Sequence, residues 1–92
     1  MGQHDLALMI ELLDRRYGRY MFLQISRLVG TWMPPVEIAS VVQKTSILIA
    51  HELLDQEYPS PIDSKEVKDL VADRAQKMAL KARRLRWHAC SQ

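Results

Sequence analysis

Cysteine is all but absent from this chain of 92 residues. Cys90, near its end, can close neither an internal disulfide nor a multi-cysteine zinc site. A reducing cytoplasm is the natural setting for such a chain. Glycine is nearly as scarce, with three residues, and the sequence holds no glycine-rich phosphate loop and no Gly-x-Ser-x-Gly turn. Long apolar runs are missing too. A stretch such as Ile47 to Ala50 falls far short of the roughly 20 residues that cross a bilayer, so no membrane span is expected. The N-terminal stretch places Asp5 ahead of its apolar residues and Glu11 and Asp14 within or just after them, the wrong polarity for a secretory signal. Leu6 stands where a myristoylation pattern asks for Ser or Thr.

What remains is a globular composition, 48% hydrophobic and 26% charged. That is enough apolar material for one core, in a chain too short for two, so residues 1–92 are expected to form a single helical domain. The net charge of +2 hides a segregation. Between His51 and Gln76 the acids Glu52, Asp55, Glu57, Asp63, Glu66, Asp69 and Asp73 outnumber Lys65, Lys68 and Arg74. Lys77, Lys81, Arg83, Arg84 and Arg86 then follow with no acid among or after them.

Two proline-bearing breaks divide the chain into three helical stretches, about 5–29, 35–58 and 64–88, with no internal repeat. In the first, Asp5 suits a helix N-terminus and Gly30 supplies a stop. Leu6, Met9 or Ile10, Leu13, Tyr17, Tyr20 or Met21, and Leu28 follow helical spacing, and Leu8, Leu12, Phe22 and Leu23 add a second apolar line. One packed face needs only about three positions in seven. The surplus implies either a central position in the monomer or burial against a second copy, and a homodimer through this helix is the expected outcome. Gly18 lies inside the same helix at a cost of about 1 kcal/mol relative to alanine, which close approach of another helix would offset or which a surface position would equally tolerate.

Pro34 and Pro35 open the second helix, whose line is Ile38, Val42, Thr45, Ile49 and Leu53. Its β-branched content would also suit a strand, but no second alternating run exists to pair with it. Pro59 and Pro61 make a stop, and Asp63 with Glu66 reads as a capping box that opens the third helix at Ser64. Val67, Leu70, Val71, Met78, Ala82 and Leu85 form its weaker apolar face. The expected fold is an all-α antiparallel three-helix bundle.

No catalytic, cofactor or metal site is expected. His51-Glu52-Leu53-Leu54-Asp55 resembles a zincin helix with Asp in place of the second His, yet no third ligand is evident. His88 and Cys90 sit among the last residues, where geometry is poorly held. The chain therefore reads as a small regulator or adaptor that binds another protein. Exposed apolar positions of the first helix, with Phe22 singled out, or Trp32 and Met33 in the first break are the expected apolar anchors, and Arg15, Arg16 and Arg19 the orienting charges. Trp32 leads as a hot spot. A competing reading is nucleic-acid binding by the cationic end of the third helix, through Lys77, Lys81, Arg83, Arg84, Arg86 and Trp87. A helix-turn-helix is excluded, because the flanking helices are too long and the second too apolar to read bases.

Overall fold

Gly30 takes a positive φ of 76°, a left-handed conformation that side chains resist and that ends a helix. It divides the first helix from the second in a computed structural model that describes the backbone of residues 3–90 and the side chains of residues 5–85. Helix α1 spans Gln3–Val29, a 3-10 turn covers Gly30–Trp32, α2 runs Pro35–Leu54 and α3 runs Lys65–Cys90. No strand occurs among the described residues. The three helices pack on one another, with α1 touching both of the others.

The core grows from one line on α1. Leu13, Tyr17, Met21, Ile25 and Val29, each four residues after the last, are all buried. Tyr20, an alternative at Met21's position, turns outward instead. Ile38, Val42, Ile49 and Leu53 meet this line from α2, and Val67, Val71, Ala75 and Ala79 from α3. Each large apolar side chain taken wholly from water, such as Leu13, Ile25 or Ile49, contributes about 1.5–3 kcal/mol. On α3 the buried line turns to alanines, residues that a search for large apolar side chains passes over, whereas Leu85 stays 62% exposed.

Pro35 starts α2 at a position where its missing N–H costs nothing. The helix stops at Leu54, four residues before the expected end at Tyr58. Asp55 still donates its N–H to the His51 carbonyl at 3.1 Å, but the Gln56 N–H reaches the Leu53 carbonyl at 3.2 Å, a tightened last turn. Between Leu54 and Tyr58 no apolar side chain is left to hold another turn in the core, and Tyr58 itself is 85% exposed. Tyr58 also precedes a proline and is biased toward extended backbone.

The start of α3 differs in its cap. Ser64 accepts a hydrogen bond on Oγ from the Val67 N–H at 3.3 Å, while its carbonyl accepts from the Lys68 N–H at 3.1 Å. Ser64 is thus the N-cap in place of Asp63, and Lys65 is the first helical residue. Asp63 is engaged elsewhere, with its Oδ1 2.7 Å from Nε of Arg16. Beside it the Tyr17 hydroxyl donates to the Ile62 carbonyl at 2.5 Å. These two bonds fasten the link between α2 and α3 onto the middle of α1.

Candidate functional site

A helix turns by about 100° per residue, so spacings of four, three, four and four bring side chains onto one side. Leu8, Leu12, Arg15, Arg19 and Leu23 have that spacing on α1, and all five are exposed. The three leucines keep 49%, 40% and 53% of their surface in water. Arg16 and Tyr20 lie beside this line and are exposed as well. The surplus apolar content of α1 is therefore only partly absorbed by its central place. Phe22, Met9 and Ile10 pack at the edge of the core, but the leucines do not.

Two of the three arginines are held by carboxylates. Nη2 of Arg15 lies 2.8 Å from Oε1 of Glu11, one turn earlier. Arg16 is bonded to Asp63, which raises its pKa further by a hydrogen bond and by opposite charge, and its guanidinium carbon stands 5.4 Å over the Tyr17 ring. Burial is the main cause that pushes the Tyr17 hydroxyl above the usual phenol value, so it stays protonated as a donor. Arg19 has no ion-pair partner among the described residues.

Beside Arg19 and Leu23 a groove of about 390 Å³ follows the seam of α1 and α2. Gly18, Phe22, Ala39 and Val42 line it, together with Asp14, Arg19 and Leu23. Gly18 makes the opening. A methyl group built there meets the Asp14 side chain, at 3.0 Å from Oδ1, and no atom of another helix within 4 Å. Of the two readings of Gly18, close approach of another helix is not seen among the described residues, and the missing side chain leaves a notch in its place. A neighbouring groove toward the start of α1 is more polar, lined by Glu11, Asp14, Gln43 and Ser46. The buried Ser46 Oγ has no hydrogen-bond partner among the described residues.

The other expected site residues fall in different places. Met33 is buried in the core and is unavailable as a surface anchor, because the 3-10 turn folds it back beneath the α1–α2 link. Trp32 is half-buried against the same core, so truncating it would disturb packing as well as any surface. Phe22 is half-buried at the groove. Leu8, Leu12, Leu23, Tyr20 and Gly18 were not among the anchors singled out by name, although the interleaving of leucines and arginines at helical spacing carried the signal. Lys77, Lys81, Arg83 and Arg84 are exposed on α3, far along the chain from the α1 face, while the side chains of Arg86 and Trp87 lie outside the described residues.

Glu52, the would-be base of the zincin-like stretch, is bonded to Arg74, while His51 and Asp55 are exposed. No group of three or more His, Cys, Asp or Glu able to hold a metal occurs among the described residues. No described helix is long and apolar enough to cross a membrane. No protein family, curated protein or solved structure matches the chain.

Proposed function

We propose that this protein is a non-enzymatic adaptor or regulator that binds another protein across the outer face of α1. The observation that carries the reading is the row Leu8, Leu12 and Leu23, left in water and interleaved with Arg15 and Arg19. Leaving such leucines exposed forgoes burial energy that a partner would recover. The notch at Gly18 supplies a pocket for one anchoring side chain. In this reading the helices run antiparallel and the protein works in a reducing cytoplasm.

The arginines define the partner's chemistry. Glu11 and Asp63 already fix two of them in position, so their remaining donors point outward with less entropy left to lose. A helix or groove with apolar anchors flanked by carboxylates is the complement. A second copy of the chain is the other occupant. Pairing α1 with itself about a twofold axis through the middle of this face sets arginines against arginines, which weakens the case for a homodimer.

The test is affinity capture from source-cell lysate after nuclease treatment, comparing wild type with Leu8→Ser/Leu12→Ser/Leu23→Ser. A discrete protein retained by wild type and lost with the variant, at unchanged helical content, supports the reading. Equal retention by the two would end it, and a wild type that sediments as a dimer, dissociated by the same substitutions, would favour self-association.

A further inference from the structure

The α1 face leaves the other charged feature of the molecule unexplained. Lys77, Lys81, Arg83 and Arg84 are all exposed, and of these only Lys77 has an ion-pair partner among the described residues, Asp73 at 3.1 Å. Arg86 follows in sequence, and no acid occurs after Asp73. Consecutive helical residues point about 100° apart. Arg83, Arg84 and Leu85, exposed one after another, therefore show that more than half of the circumference of α3 is open at this level, while Ala82 packs on the core from the remaining side.

The distribution of side chains around this helix selects among anionic surfaces. A helix lying on lipid or in a protein groove presents one continuous apolar stripe. Here the exposed leucines, Leu80 and Leu85, are five residues apart and so point about 140° away from each other. Lys81, Arg83 and Arg84 spread over roughly 160° of the circumference instead of one edge. Cations on both flanks of the open half of a helix whose back rests on the core suit a site with negative charge on more than one side. The major groove of duplex DNA is such a site, since it admits an α-helix between two phosphate strands.

We infer that the C-terminal part of α3 is a cationic arm that binds duplex DNA through its phosphates, with Lys81, Arg83 and Arg84 as contacts. This activity is independent of the α1 docking face. It is sequence-tolerant in kind, because phosphate contacts position a protein without reading bases.

The experiment measures binding of the full chain to a 20-base-pair duplex across a salt series. Each phosphate contact contributes a slope of about −0.9 in log K against log salt. Wild type is expected to bind at low salt with a slope near −3, and Lys81→Gln/Arg83→Gln/Arg84→Gln is expected to flatten it by about 2.7. The control Arg15→Gln/Arg16→Gln/Arg19→Gln keeps the wild-type slope. Circular dichroism checks that both variants stay folded, which their exposed positions favour. Absence of duplex binding at low salt, an unchanged slope in the α3 variant, or a binding defect confined to the α1 variant would each overturn the inference. So would tighter binding to anionic phosphatidylserine vesicles or to polyglutamate than to the duplex.

Discussion

Arg74 clasps Glu52 with two parallel bonds, Nε to Oε2 at 2.7 Å and Nη2 to Oε1 at 2.6 Å. The guanidinium on α3 thus grips a carboxylate on α2 in the fork geometry that makes such pairs directional. Both side chains are part-buried, and Arg74 also bonds Asp73. The hydrogen bonds from Arg74 hold the Glu52 carboxyl below its usual range.

A pH dependence follows from that lowered value. Glu52 contributes stability in full above its unfolded-state pKa, and the contribution disappears as pH falls through its lower folded-state pKa. Asp73, lowered first by its bond to Lys77 and then by Arg74, acts in the same direction. Glu52→Gln is expected to cost about 1 kcal/mol at pH 7. Urea unfolding of wild type and variant between pH 7 and pH 3 should show the difference shrinking on acidification. A constant difference would remove the ion pair from the account.

Tyr17→Phe should lower stability by roughly 1–2 kcal/mol, since it leaves the Ile62 carbonyl without its donor while keeping the ring in the core. Hydrogen exchange localises the effect. Protection is expected to fall around residues 60–64 more than in α2, whereas uniform loss would mean that the hydroxyl does not anchor the link.

Ser64→Ala tests the cap and should cost about 1 kcal/mol. Asp63→Ala loses only the solvent-exposed pair with Arg16, a smaller cost. Thermal unfolding of the two variants ranks them, and a larger cost for Asp63 would restore it as the capping residue.

Gly18→Ala is expected to stabilise the fold by up to about 1 kcal/mol, because the helix gains propensity and only the exposed Asp14 side chain must move. The same methyl narrows the notch, so affinity for the captured partner should fall as stability rises. Loss of stability would show that Asp14 cannot yield.

These elements were unequally legible in the sequence. Prolines 34, 35, 59 and 61 and Gly30 mark the breaks through backbone sterics, which act locally and can be read without a fold. The end of α2 depended on whether anything packs just beyond Leu54, and the cap depended on whether Asp63 finds Arg16, a residue 47 positions away. Tertiary contacts settled both. On α1 several apolar lines satisfied the helical period together, so periodicity could not say that Met21 turns in while Tyr20 and Leu23 turn out. Met33 could not be placed for a different reason, since a loop residue becomes core only when its turn folds back. The arginines of the α1 face stood out as charges among tyrosines, and helical spacing sets Leu8, Leu12 and Leu23 beside Arg15 and Arg19, but that these leucines stay in water emerged only from the packing.

The most direct test of the α1 docking face places a photo-crosslinking amino acid at Leu23 and, as a control, at Tyr58, which is more open to solvent and lies outside α1. After irradiation in source cells, a discrete adduct with a different protein from position 23, and none from position 58, is the expected result. No adduct at 23, or the same set of adducts from both positions, would contradict the account.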